Sequence, residues 1–318
     1  MKPLATPTLL AGLALCAAAP WLVPAFTTQL SLLWLMVLFA LTWDVMGGQA
    51  GYNSFGNIVF FGVGAYVCAV VQRDAGLGYF SALAAGTGLA ALAAVAVALV
   101  LGPMLLAVRG HYFAIATMGL GFAFADAAAG WDLIGAGSGM TLPLFPGPIG
   151  ARQHFFYYAL LALALAVLLA LRWLYGRPFG RALNAIRDDE DKAESLGLAT
   201  TRYKIQAWCV CAIFLGIAGA LAGNLAGFID PREFAFASAT FGVWMVIMAI
   251  LGGKGTLWGP VIGAVIFHLT QELFWIYLLR WQRVALGVLI VLIVVAFPGG
   301  IVGWLRQRRP AHRGTRHA

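Results

Sequence analysis

Residues 176 to 204, GRPFGRALNAIRDDEDKAESLGLATTRYK, form the one long charged segment in a chain that is otherwise apolar from end to end. Phe179, Leu183, Ile186, Ala193 and Leu196 recur at spacings of three, four and seven, which places them on one face of a helix. Arg181, Arg187, Asp188, Asp189, Glu190, Asp191 and Lys192 cover much of the rest. Pro178 suits a first helical turn, Gly197 offers a stop, and Thr200 and Thr201 begin a new entry into apolar sequence. An amphipathic helix could lie on lipid headgroups, but anionic lipid would repel the four successive carboxylates from Asp188 to Asp191. The pattern points instead to a docking loop, whose chemistry is recognition of a partner in the aqueous phase.

Few other residues carry chemistry. Asp44, Asp126, His268 and Glu272 are the ionisable side chains inside apolar runs, where such groups are expensive and usually face a bundle interior or a cavity. Gly47 to Asn57, GGQAGYNSFGN, holds four glycines with Gln49, Asn53, Ser54 and Asn57. It cannot form a lipid-facing helix, because an unsatisfied backbone group in hydrocarbon costs several kcal/mol. It is a plain turn, or a broken, re-entrant element lining a path. If Asp44 and Glu272 line that path they could meet a substrate ammonium group; both could equally sit near headgroup level. There is no Gly-Lys-(Ser/Thr) phosphate loop in a strand-helix setting, no Cys-His cluster and no Ser-His-Asp set, so the chain is expected to be no enzyme and to hold no metal or cofactor. Cys16, Cys68, Cys209 and Cys211 lie in apolar runs and read as small buried hydrophobes.

The elements that position these residues follow from composition. The 318 residues are 62% hydrophobic and 10% charged, far below the roughly 25% charged residues of soluble domains, and mean hydropathy is +0.89. This describes an all-α polytopic membrane protein. A bilayer core about 30 Å thick needs roughly 20 apolar residues per helix, which gives about ten transmembrane spans: 8 to 26, 28 to 46, 56 to 72, 79 to 107, 111 to 130, 154 to 175, 205 to 229, 234 to 252, 257 to 279 and 284 to 304. The first run also has the look of a secretory signal, with Lys2 ahead of it and Ala17-Ala18-Ala19 as a cleavage-like site, although apolar sequence continues through Trp21, Leu22 and Val23. Residues 1 to 318 are read as a single membrane domain, with 176 to 204 its charged loop and 305 to 318 a basic tail.

Orientation follows from the 20 Lys and Arg residues. With the charged loop in the cytoplasm and ten spans retained, both termini are cytoplasmic. All the basic residues then face inward except Arg73, Arg152, Arg232, Arg280 and Arg283, a strong positive-inside bias. The net charge of +8 is therefore a topology signal and not a nucleic-acid one.

The stretch FGRALNAIRDDEDKAESLGL followed by TRYK resembles the cytoplasmic coupling loop of LivM-type permeases of branched-chain amino acid importers. The shorter coupling pattern of ABC importer permeases, Glu-Ala-Ala, three residues, Gly, falls on Asp191, Lys192, Ala193 and Gly197, with strict matches at Ala193 and Gly197. Phe60 to Val71, FFGVGAYVCAVV, and Leu251 to Val265, LGGKGTLWGPVIGAV, resemble the same family. In the 131 to 153 connection the family's Thr-Gly-Gly-Ser-x-Gly-Leu is matched at Gly135 and Gly139 but departs at Ala136 and Gly137. A carboxylate at Asp44 is a further departure.

The resemblance implies a helical permease subunit in the bacterial inner membrane, paired with a LivH-like sister permease, two ATP-binding subunits and a periplasmic substrate-binding protein. It implies that Arg181, Leu183, Ile186, Arg187, Asp191, Ala193, Glu194, Ser195, Leu196 and Gly197 carry ATPase coupling. Asp44, Gln49, Asn53, Ser54, Asn57 and Glu272 are the candidates for the translocation path. The cargo implied is a branched-chain or other hydrophobic amino acid; urea and short amides are the alternative within the family. An ion-coupled secondary transporter is the alternative from another class, and it would need central ionisable groups.

Overall fold

The computed structural model describes residues 6–278, residues 281, 284, 285, 287 and 288, and residues 300–307. Among the described residues the apolar runs are mainly helical, as a membrane-spanning backbone must satisfy its hydrogen bonds internally. In order these are α1 (Thr6–Leu22), α2 (Thr27–Asp44), α3 (Asn57–Asp74), α4 (Tyr79–Leu105), α5 (His111–Ala129), α6 (Ile149–Tyr175), α7 (Pro178–Asp188), α8 (Glu190–Ser195), α9 (Thr200–Ala226), α10 (Val243–Gly252) and α11 (Gly259–Tyr277), followed by a short helix, Gly300–Gln307. Among the described residues seven helical stretches are long and apolar enough to cross a membrane. Of the ten predicted spans, α1 has only 17 residues, and α3 ends on the polar run Gln72, Arg73 and Asp74. Most of the tenth span, 284 to 304, and most of the basic tail lie outside the described residues.

The core is built around α2 and a triangle of α3, α4 and α9. From Leu35 to Asp44 every residue of α2 is buried, as expected of a helix packed on all sides, here by α6, α9, α10 and α11. In the triangle small residues set the spacing. A Cβ on Gly64 of α3 would run into the backbone of Gly216 of α9, and one on Gly219 into the Phe61 carbonyl. Gly62 lies under the ring of Phe236. The close approach at Gly64 and Gly219 is the membrane form of packing, where small residues and not hydrophobicity draw helices together.

Three boundaries differ from the sequence expectation. α6 starts at Ile149 and α9 at Thr200, so both begin about one turn earlier than predicted, and the charged connection shortens to 176–199. The eighth span is not one helix. Its first half is two π-helical turns, Pro231–Ala235 and Ser238–Gly242, and only α10 is regular. Ser238 of the second turn is buried and abuts Gly121 in the middle of α5, so at that level the break is covered by protein, the condition under which irregular backbone is tolerated at membrane depth. At the end remote from the charged loop, here the far end, Met140–Thr141 (β1) pairs antiparallel with Phe228–Ile229 (β2) and ties the 131–148 connection to the end of α9.

Candidate functional site

The charged segment is two helices meeting at an elbow. Asp189 has extended backbone (φ −165°, ψ 103°), and its side chain accepts the Lys192 amide at 3.0 Å, capping α8. This corrects the expectation of a single helix. It also corrects the apolar stripe. Leu183, Ile186 and Ala193 are buried against the chain's own bundle and Phe179 is partly buried, whereas Leu196 is 88% exposed. The elbow shifts the helical phase, so Leu196 leaves the face it would occupy on a continuous helix. Beyond it Gly197 adopts the left-handed conformation (φ +87°) while the Leu198 amide returns to the Ala193 carbonyl at 3.0 Å, the geometry of a glycine stop. The exposed side of the segment thus carries Arg181, Arg187, Asp191, Glu194, Ser195, Leu196 and Gly197.

A buried ion pair fastens α8 to the bundle. Lys204, in the first turns of α9 and 3% exposed, donates to Glu190 Oε1 at 2.7 Å, to the Tyr52 hydroxyl at 3.0 Å and to the Leu106 carbonyl at 2.9 Å. These three acceptors use all three ammonium protons. The Tyr52 hydroxyl donates to the other oxygen of Glu190, and Arg109 Nε lies 3.7 Å from it. Arg109 also reaches Asp191 and Glu194. Burial raises the Glu190 carboxyl, but the hydrogen bonds from Lys204 and Tyr52 and the charges of Lys204 and Arg109 outweigh it, leaving the group below its ordinary value. Burial, then the Glu190 carboxylate, push the Tyr52 hydroxyl up. One cluster therefore joins the charged loop, the Gly47–Asn57 stretch, the end of α4 and the start of α9. Sequence reasoning missed it. The available signal was Lys204 itself, a cation directly abutting the apolar run that begins at 205.

Next to this cluster the two glycine-rich stretches meet. Asp44, 1% exposed at the end of α2, accepts the Gly255 amide at 2.7 Å. Gly48 sits so close that a Cβ there would overlap the Asp44 carboxylate and the Gly255 amide. Arg187 of α7 crosses the junction, donating to the Gly48 carbonyl at 3.3 Å, and it packs over Gly51, which is left-handed (φ +78°). Gln49 is buried within a π-helical turn, Val45–Gln49, that continues α2. The rest of the stretch is held by indoles: Trp43 Nε1 donates to the Ser54 carbonyl at 2.8 Å and Trp208 Nε1 to Asn57 Oδ1 at 3.3 Å. Ser54 and Asn57 are fully buried, and Asn53 is exposed. Asp44 here anchors backbone, which accounts for a carboxylate at that position.

The remaining ionisable residues do not gather at this site. Glu272 is 13 residues along α11 from its loop-end start, about 20 Å away, so the structure does not bring it to Asp44. His268, one turn before it, is buried against α2 with no partner for Nδ1. Asp126 is near the far end of α5, 70% exposed and paired with Arg232 at 3.0 Å. The eight path and intramembrane ionisable candidates thus divide between a loop-end cluster, a mid-α11 site and a far-end rim.

Comparison with known proteins is consistent along the chain. It is 28% identical to the high-affinity branched-chain amino acid transport system permease protein LivM of Escherichia coli K12, over 96% of this chain and 77% of that protein. The LivM protein of Salmonella typhimurium is also 28% identical, over 94% of this chain and 75% of the relative. LivH of Escherichia coli K12 is 29% identical over half of each chain. No solved structure matches. The family described as branched-chain amino acid transport system, permease component, matches residues 26–295, the region that holds α2 to α11 with both glycine-rich junctions and the elbowed charged loop, and the chain belongs to that family.

Proposed function

We propose that the chain is the membrane-spanning permease subunit of an ATP-driven importer for branched-chain or other hydrophobic amino acids. It acts with a LivH-like sister permease, two ATP-binding subunits and a periplasmic substrate-binding protein. The observation that carries the reading is the junction at the loop end, where an exposed elbowed segment is tied by buried groups to four parts of the bundle. A push on Leu196 or Gly197 would be conveyed through Glu190 to Lys204 and through Arg187 to the Gly48–Gly255 contact, and so to α9, α2 and α11. Closure of an ATPase dimer against the segment would drive the bundle between inward and outward access. Leu183, Ile186 and Ala193 position the segment; Arg181, Asp191, Ser195, Leu196 and Gly197 face the partner.

In this reading the loop end is cytoplasmic, as the Lys and Arg distribution requires. The spans number ten, with α1, α3 and the run 284 to 304 completing the set, and both termini lie in the cytoplasm of a bacterium with the chain in its inner membrane. Residues 1–318 form a single permease domain ending in a basic tail. Hydrolysis of ATP belongs to the partner subunits. The ion-coupled alternative keeps Glu272 and His268 on α11 as candidate coupling groups, but Asp44 is bound to backbone and Asp126 lies at the rim.

Affinity purification from the native membrane tests the proposal. Two nucleotide-binding subunits and a second permease should accompany the chain. Recovery of the chain alone, under detergent conditions that preserve a known importer, would refute it. Amino-acid binding by the accompanying binding protein would then define the cargo.

A further inference from the structure

The broken span creates a second site, at the far end and away from the coupling junction. A cleft of about 220 Å³ opens between α5 and the π-helical turns that follow β2. Its rim holds three charged side chains, Asp126, Arg232 and Glu233. Arg232 Nη2 lies 3.0 Å from Asp126 Oδ1 and bridges the two walls. Glu233 makes no ion pair among the described residues. Below the rim the walls are Ala125, next to Asp126 on α5, and Phe122 about one helical turn deeper, with Phe236, Ala237 and Ala239 from the other side. Ser238 and Thr240 put hydroxyl groups at the same level, each spent on a backbone carbonyl two or three residues earlier.

This layout has a chemical complement. A rim that carries one guanidinium and two carboxylates can bind a carboxylate and an ammonium separated by one carbon, and the apolar walls beneath would take an aliphatic side chain. The volume is below the roughly 300–1,000 Å³ of pockets for drug-sized ligands, which suits a free amino acid. Irregular backbone at membrane depth is also where transporters commonly place substrate. We propose that this cleft receives the zwitterionic amino acid on its way into the bundle, Arg232 taking its carboxylate, Asp126 and Glu233 its ammonium, and Phe122, Ala125 and Phe236 its side chain. The proposal rests on the importer reading above.

The test uses the complete importer in proteoliposomes with substrate-loaded binding protein, measuring leucine uptake and ATP hydrolysis together. Arg232→Ala should lower uptake about tenfold, the scale of a hydrogen bond to a charged group, with stimulated ATP hydrolysis retained. Arg232→Lys should recover part of the loss. Ala239→Trp is at an exposed wall position and leaves the three charges in place; it should block uptake by filling the cleft. Unchanged uptake in Arg232→Ala and Ala239→Trp would overturn the site. Loss of uptake together with loss of stimulation by the binding protein would also overturn it, assigning the rim to protein docking. Wild-type complex that assembles with its ATPases but moves no amino acid would instead refute the cargo assignment, and with it the ligand proposed here.

Discussion

Replacing Lys204 by Met tests whether the buried ion pair transmits force or merely fills space. Met keeps the length and apolar stem of lysine but removes the ammonium. The change strands the Glu190 carboxylate, the Tyr52 hydroxyl and the Leu106 carbonyl, which now receive hydrogen bonds of 2.7 to 3.0 Å. Breaking one partner out of a buried pair costs about 3–5 kcal/mol. Glu190 is 11% exposed and keeps Arg109 at 3.7 Å, so the lower part of that range, about 3 kcal/mol, is expected. The apparent thermal midpoint of the purified complex should fall by several degrees. The decisive reading is coupling: ATP hydrolysed per leucine imported should rise in Lys204→Met. The double variant Lys204→Met with Glu190→Gln removes both charges and should recover most of the stability, since neutral replacement of a buried pair is often tolerated. It should not recover coupling. A single variant with unchanged midpoint and unchanged coupling would refute the transmission argument, and a double variant that restores both would reduce the pair to a packing element.

Three further outcomes follow from the same geometry. Leu196→Asp and Gly197→Asp alter an exposed side chain and a position whose added Cβ would meet nothing, so copurification of the ATP-binding subunits should drop while the isolated Leu196→Asp permease keeps its thermal midpoint; Gly197→Asp adds about 1–2 kcal/mol of left-handed strain. Gly48→Ala would place a methyl against the Asp44 carboxylate and the Gly255 amide and should cost about 1–3 kcal/mol, visible as lower yield of folded protein by size-exclusion chromatography. Acid sensitivity should depend on Glu190. Its folded carboxyl lies below the ordinary value of 4.5, so its contribution is present above that pH and is lost as pH falls through the lower, folded value. Glu190→Gln should therefore flatten the acid limb of a midpoint-against-pH curve.

Much of the architecture was legible because the bilayer simplifies the code. Long apolar runs have few alternatives to helix. The charged segment was legible as an exposed element for the same reason. Its phase was not, because a periodic stripe assumes an unbroken helix, and Asp189 inside a run of four acids gave no sign that it would cap a second one. The eighth span also read as continuous. Its apolar composition is that of a helix, and the π turns at 231–242 depend on packing against Gly62 and Gly121, residues more than a hundred positions away. Asp44 was recognised as unusual but assigned to a path; its bond to Gly255 joins positions 211 apart and has no local signature. Lys204 was counted among the loop's cations because its burial depends on Leu106, Tyr52 and Glu190, supplied by three separate elements.

The lengths of two helices set a relation between the coupling junction and the lipid. α4 and α9 each have 27 residues, about 40 Å of helix against a hydrocarbon thickness of about 30 Å. Leu106 follows the end of one and Lys204 lies near the start of the other, so the ion-pair cluster rides on the excess length at one bilayer surface. A membrane of different thickness is met by tilting such helices. Tilt would move the Lys204–Glu190 pair nearer to headgroups or farther into water, changing its desolvation without altering a residue. If the proposed coupling role holds, hydrophobic mismatch would bear directly on this link, and membrane thickness would be a variable of the coupling.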